Sequence, residues 1–358
     1  MEKYSQYRDR GMLPRCACAK SPLTDSIGSG IAPFFPVRPE PSGIALPLHI
    51  FLFACRLPLL LGASAIYFLL LSWLPVGLLV RKAALWLILG IPGVWWIDLQ
   101  IDGVRRGSLA KHHKNRLPSP GTVIASSFTS PLDALYLAAI FDPVFTISYP
   151  STRLVERVNL FRAFLHALAP PVIQPPPNAK LTNLATLIAQ NPDTSIVVLP
   201  ECTTTNGRGI LPFSPSLLTV PARTKIFPVS LRYSPGDVTT PIPQTYFDFL
   251  WNLCSKPTHC IRVRIAEAVF NTSAGSAKQS ATASGRDLSP RPADYAETNG
   301  ADSVLLGNGD AHGELSAEEQ KVLDRVGEDL ARLGRVKRVG LGVKEKADFI
   351  KTWTKKRR

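Results

Sequence analysis

Apolar positions in this 358-residue chain follow two different rhythms, a long unbroken one before residue 100 and a short punctuated one after residue 120. Residues 57–80 contain no charged side chain, and as a helix at ~1.5 Å per residue they would run roughly 36 Å, enough to cross a hydrocarbon core. Arg81 and Lys82 interrupt, and residues 83–97 form a second, shorter apolar run that ends in Trp95 and Trp96. Arg38 and Arg56 precede the pair of runs, while Arg105, Arg106 and Lys111 follow it. Basic residues at both ends and an aromatic pair predict a membrane-anchoring helical hairpin with both ends on one side. The charged pair at its tip is unfavourable there, and a buried helix pair in a globular core is the other reading. About fifty polar, proline-bearing residues before the first run argue against a cleaved signal peptide.

From Gly121 onward, short β-branched runs alternate with longer stretches of helical period. Strands are predicted at 122–126, 144–148, 196–199, 225–232 and 261–266, with helices at 132–140, 154–168 and 181–190. That order implies an α/β layer with a mostly parallel sheet and with active residues at strand ends. Ser316 and Glu319 have capping-box spacing and open a helix whose Val322, Val326, Leu330 and Leu333 share one face. Residues 271–314 are rich in Ser, Ala, Gly and Asp. The organisation expected is a disordered tail over 1–43, an anchor over 44–100, an α/β domain over 101–270, a flexible insertion over 271–314 and amphipathic basic helices over 315–358.

Composition narrows the partners. An apolar content of 45% supplies a substantial core, and 32 prolines argue for many short elements rather than a helical bundle. Six cysteines lack metal or CxxC spacing, so neither a zinc site nor a disulfide framework is indicated. The formal charge is +14, and residues 335–358 carry ten Lys and Arg against Glu345 and Asp348. Such a tail favours anionic surfaces. No interleaved aromatic pattern or nucleic-acid motif accompanies it, which points to membrane lipid and away from nucleic acid. Phe349, Ile350 and Trp353 lie beside lysines, in a stretch suited to a membrane surface or equally to packing on the α/β layer. The closing Lys355-Lys356-Arg357-Arg358 matches a di-lysine retrieval pattern of the endoplasmic reticulum or is a chance basic terminus.

The chemistry concentrates in Ser195-Ile-Val-Val-Leu-Pro-Glu201-Cys-Thr-Thr-Thr-Asn-Gly-Arg208. A β-branched strand is stopped by Pro200 and passes into a polar turn in which Gly207 and Gly209 relax the backbone beside Arg208. This block resembles the PEGT loop of the glycerolipid acyltransferases, with Cys202 at the family's glycine. The resemblance implies that Glu201, Thr203, Thr204, Asn206, Gly207 and Arg208 hold the phosphate headgroup of an acyl acceptor. It also implies an upstream H-x-x-x-x-D block, and Ser127-Phe128-Thr-Ser-Pro-Leu-Asp133 stands in that place. Phe128 therefore occupies the position of the family's histidine, the general base, while Asp133 keeps the position of the aspartate that orients it.

Phenylalanine accepts no proton, so the base must come from elsewhere if there is one. His112 and His113, just before the strand leading to Asp133, are candidate replacements or simply a solvated basic pair. His166, in the apolar stretch 160–168, reads as a core or helix-face histidine, and Cys202 as inert packing. Asp133 can also be a plain helix-start carboxylate behind Pro131.

The Phe128 block and the run from Arg338 to Ala347 resemble a fungal branch of the family, the lysophosphatidic acid:oleoyl-CoA acyltransferases linked to vacuolar protein sorting. That resemblance implies transfer of a fatty acyl group from acyl-CoA, a substrate rather than a bound cofactor, to lysophosphatidic acid, without a metal. It implies a place at the endoplasmic-reticulum membrane or lipid droplet with the catalytic domain facing the cytosol. The alternative is a catalytically inactive, lipid-binding relative acting in membrane or vacuolar trafficking.

Overall fold

A computed structural model describes residues 7–8, 30–37, 43–71, 73–74, 77–104, 116–273 and 315–357. The first apolar run is helical but starts earlier than its lack of charge suggests. Helix α1 (Leu46–Ala65) follows a short turn at Gly43–Ala45 and continues as wider turns over Ile66–Leu71. Arg56 does not break it, because its guanidinium leaves the helix to bind the carbonyls of Pro92, Lys256 and Pro257. Gly43–Leu71 is, by length and composition, capable of crossing a membrane, and very little of it is buried.

The second run splits. Helix α2 (Leu78–Gly90) carries Arg81 and Lys82 in its first turns and buries Leu85, Ile88 and Leu89. The two charges are therefore not at the hairpin tip where the sequence reading placed them. Lys82 instead donates 2.8 Å to the carbonyl of Ile140, at the C-terminal end of a later helix where backbone carbonyls favour a cation. The remainder becomes strand β1 (Val94–Ile101), so the expected anchor boundary at residue 100 moves back and its last residues belong to the sheet.

The other sheet strands are β2 (Val123–Ser126), β3 (Val144–Ser148), β4 (Val155–Val158), β5 (Leu181–Thr182) and β6 (Ile196–Val198), followed, beyond a short β7 (Gly209–Ile210) outside the sheet, by β8 (Lys225–Ser234), β9 (His259–Ile265) and β10 (Val269–Phe270). They run in the order β1-β9-β8-β2-β6-β3-β4-β5, with β10 beside β8. The central neighbours β8, β2, β6 and β3 are parallel, as is the outer pair β1 and β9. Antiparallel pairings join β8 to β9, β3 to β4 and β4 to β5.

Strand alternation sorts side chains between two cores. Ile124, Val197, Phe227, Val229 and Leu231 face one cluster, which holds Leu132, Leu135 and Leu253. Val123, Ala125, Ile196, Val198 and Ile226 face the other, with Leu184, Leu187, Val322, Val326 and Leu330. Helices thus cover both faces of a mostly parallel sheet, the arrangement that near-continuous hydrophobic strands require. On the first face lie α3 (Pro131–Phe141), α4 (Leu160–His166) and α6 (Tyr246–Ser255), and on the second α5 (Leu184–Gln190) and α7 (Ala317–Gly334).

Two predicted helices are corrected. Residues 154–168 divide into β4 and α4, because Val155 and Val158 pair along β3 while Glu156 is buried between the Tyr149 hydroxyl at 2.6 Å and Arg162 at 2.6 Å. Residues 181–190 divide into β5 and α5, because the Asn183 side chain accepts from the Ala185 amide at 3.0 Å and starts the helix there.

Beyond residue 315, α7 turns Val322, Val326, Leu330 and Leu333 inward as its period predicts. Strand β11 (Lys337–Arg338) pairs with β7. The final helix α8 (Val343–Arg357) packs on the protein: Phe349 is fully buried with Phe34, Leu211 and Val339 in a third cluster. Residues 30–37 lie within the segment expected to be a disordered tail, yet Phe34 and Phe35 both contact the Phe349 ring. Aromatic burial against α8 outweighs the proline-rich composition of that stretch.

If α1 enters the bilayer, the protein will remain with membranes through alkaline carbonate as well as high salt. Release by salt alone would assign the attachment to the basic C-terminal region, since salt screens surface charge but leaves apolar burial intact.

Candidate functional site

Strand β2 hands the chain to Ser127-Phe128-Thr129-Ser130 and then to α3, while its neighbour β6 hands it to Pro200-Glu201-Cys202-Thr203. Because the two strands are parallel, their exits lie side by side at one sheet edge, the place where open α/β sheets carry their sites. Glu201 joins the two loops. Its Oε1 accepts from the Phe128 amide and its Oε2 from the Leu211 amide, each at 3.3 Å. The Phe128 carbonyl in turn accepts from the Thr205 amide at 3.0 Å. Burial pushes the Glu201 carboxyl up to about 8, against the pull of its two amide donors.

Asp133 is fully buried and its oxygens are all engaged. Oδ2 accepts from the amides of Thr129 (2.7 Å) and Ser130 (2.9 Å) and from the Thr129 hydroxyl (3.3 Å). Oδ1 accepts from the Tyr233 hydroxyl at 2.5 Å. With Ser130 as N-cap this is a capping box that starts α3, and among the described residues no imidazole is one of its partners. Burial raises its pKa to about 6, with the Tyr233 hydrogen bond pulling the other way.

Phe128 is buried, and its ring stacks on the imidazole of His166 with centroids 5.6 Å apart and planes 15° apart. The histidine that sequence reasoning left as a core residue is thus brought to the Phe128 loop. His112 and His113 lie outside the described residues.

The polar loop is held from inside. Lys346 of α8, almost fully buried, donates to the Thr203 hydroxyl at 2.9 Å, the Thr204 carbonyl at 2.6 Å and the Thr204 hydroxyl at 3.0 Å. Asn206 donates to the carbonyls of Ala32 (2.8 Å) and Phe35 (2.9 Å), and its own carbonyl accepts from the Arg208 amide at 3.1 Å. Gly207 takes a positive φ of 71°. Arg208 is exposed, and no ion pair of its guanidinium occurs among the described residues. Cys202, at the position of the family's glycine, adopts a φ of 57°, which explains why glycine suits that position. Burial pushes its thiol up to about 12, so it is no nucleophile.

Beside this edge lies an apolar cavity of about 220 Å³, lined by Leu132 and Leu135 of α3, Phe161, Phe164 and Leu168 in and after α4, and Leu60 of α1. Arg153 and Arg157, basic residues in the interval between the two blocks, stay away from it: Arg153 pairs with Glu319 at 2.6 Å and Arg157 is exposed on β4. Two residues of the site were missed by sequence reasoning. Tyr233 had a readable signal, since it continues the inward alternation of Phe227, Val229 and Leu231. Lys346 had none, because a lysine in a basic helix reads as surface. No group of His, Cys, Asp and Glu that could hold a metal occurs among the described residues.

Two measurements check this geometry. The folded-state pKa of Glu201 lies above its ordinary 4.5, so ionising it in place costs stability as pH rises from there towards 8. Asp133 adds to the fall only up to about 6, and Lys346, pushed down by burial to about 7, acts in the opposite sense only above that. His166 and His259, whose imidazoles burial holds below their ordinary value, oppose that fall up to about pH 7. The readout is therefore the difference between proteins: as pH rises from 5 to 8 the wild type loses thermal stability relative to Glu201→Gln. Cys202→Val, which puts a β-branched side chain where the cysteine already takes a left-handed φ of 57°, adds to that strain and will lower the urea midpoint. Cys202→Gly relieves the same strain and will be close to neutral in urea melts.

No family model matches the chain. No solved structure matches it either. Two curated proteins do. A Schizosaccharomyces pombe protein named "Putative lysophosphatidic acid:oleoyl-CoA acyltransferase" is 25% identical over 251 residues, 68% of this chain and 77% of its own. The Saccharomyces cerevisiae "Lysophosphatidic acid:oleoyl-CoA acyltransferase 1" is 28% identical over 217 residues, 60% of this chain and 61% of its own. The chain is thus similar, at 25–28% identity, to two proteins named as lysophosphatidic acid:oleoyl-CoA acyltransferases.

Proposed function

We propose that the protein transfers a fatty acyl group from acyl-CoA to lysophosphatidic acid, forming phosphatidic acid for phospholipid and triacylglycerol synthesis. The observation that carries this reading is the meeting of the Phe128 and Glu201 loops through one buried carboxyl group, with Leu132, just beyond the first loop, lining an apolar cavity. A cavity with almost no polar lining suits an alkyl chain, and α1 supplies part of its wall, so a lipid reaches it from the bilayer side. The exposed guanidinium of Arg208 suits a phosphate, for which it offers a planar pair of donors. Glu201, Thr203, Thr204, Asn206 and Gly207 shape the loop that presents Arg208. Asp133 anchors the Phe128 loop to the first turn of α3, so that thioester and hydroxyl meet in a fixed frame. In this reading the protein works at the endoplasmic-reticulum membrane or the lipid droplet, with the α/β domain in the cytosol.

The second reading, a catalytically inactive lipid-binding protein of membrane trafficking, is favoured by one observation. Phe128 brings no proton chemistry, and the oxygens of Asp133 are taken up by Thr129, Ser130 and Tyr233. Labelled acyl-CoA supplied to purified membranes with several lysophospholipids separates the two: formation of labelled phosphatidic acid supports the enzyme, and no transfer to any acceptor supports the binder. Arg208→Ala will raise the KM for lysophosphatidic acid by about 10- to 150-fold, the equivalent of a charge-assisted contact of roughly 1.5–3 kcal/mol, while the KM for acyl-CoA changes little. Equal effects on both substrates would remove Arg208 from the headgroup site.

A further inference from the structure

Acyl transfer to a hydroxyl requires a group that takes the hydroxyl proton, and the phenyl ring of Phe128 has no lone pair to offer. Against that ring, at 5.6 Å between centroids, lies the imidazole of His166. His166 is the last residue of α4, and the polar loop holds it in place. The carbonyl of the next residue, Ala167, accepts from the hydroxyls of Thr204 at 3.4 Å and Thr240 at 3.1 Å. The imidazole also lies near the backbone of Cys202. A neutral imidazole carries a lone pair on one of its two ring nitrogens. The ring is half-buried, and the residues two before and two after it, Phe164 and Leu168, line the apolar cavity.

Among the described residues, the other titratable groups near the loops are already engaged. Glu201 accepts from two amides, Asp133 from two amides and two hydroxyls, and Lys346 donates to Thr203 and Thr204. His259 is buried with one ring nitrogen against the Leu253 carbonyl at 2.8 Å, below α6 rather than beside the two loops.

We propose that His166 is the general base of acyl transfer, reaching from the end of α4 to the place beside Phe128. This rests on the acyltransferase reading. The free imidazole nitrogen takes the proton as the acceptor hydroxyl oxygen bonds to the thioester carbonyl carbon, whose π electrons move onto its oxygen. When that tetrahedral adduct collapses, the C–S bond breaks, its electron pair leaves with sulfur, and the imidazolium returns the proton to the thiolate. The products are the ester and the free thiol of coenzyme A, and the ring is neutral again. Burial, with Lys346 and Arg162 adding to it, holds the imidazole down at about 4, so the ring stands unprotonated across the physiological range.

The test uses the full chain in membranes, with acyl-CoA and lysophosphatidic acid as probes and folded fraction measured by thermal melting. His166→Gly and the more space-filling His166→Gln are expected to lose about 10²–10⁴ in kcat with KM for both substrates nearly unchanged, the range general-base catalysis supplies. Added imidazole is expected to restore part of the turnover of His166→Gly, which a packing role would not allow. Turnover of either folded variant within about fivefold of the wild type, well short of that range, overturns the inference, as does a loss confined to KM. Failure of the wild type itself to transfer an acyl group overturns the acyltransferase reading and this inference together.

Discussion

The carboxyl of Glu201 is the constraint on which the site depends. Two strand exits lie side by side because their strands are parallel, but side-by-side loops need a shared partner to hold a common shape. Glu201 supplies it by accepting one amide from each side, Phe128 on the first loop and Leu211 beyond the second. A buried acid is costly unless its lone pairs are satisfied, so this arrangement admits little movement of either loop relative to the other. The same economy explains Asp133, whose four donors tie the Phe128 loop both to the start of α3 and, through Tyr233, to the strand on the other side of β2.

Much of this was legible. The central parallel strands follow from β-branched runs punctuated by Gly and Pro, and the capping roles of Ser130, Asp133, Ser316 and Glu319 follow from their spacing. The inward face of α7 follows from its period. What stayed hidden depended on contacts between residues remote in the chain. Strand β1 was concealed because its first residues continue an apolar run that also fits a membrane segment, and only its pairing with β9 makes it a strand. The split of residues 154–168 depends on the antiparallel partner β3, which no local period reveals.

The site shows the same division. Phe128, Asp133, Glu201 and Arg208 could be found from two loops of characteristic order, whereas His166 and Lys346 come from helices that the sequence presents as an apolar core segment and a basic surface. A lysine is seldom fully buried, so its sequence context carries no warning. Here Lys346 is buried and its ammonium finds three oxygens of Thr203 and Thr204, which replace the water it gives up.

The contact between Lys346 and Thr204 spans 142 residues. During synthesis α1 emerges first and can meet a membrane while the sheet is still incomplete, since β9 and β8 come some two hundred residues later. The loop from Thr203 to Arg208 gains its three contacts from Lys346 only once α8 has been made. If α1 enters a bilayer, it can do so before that loop is finished.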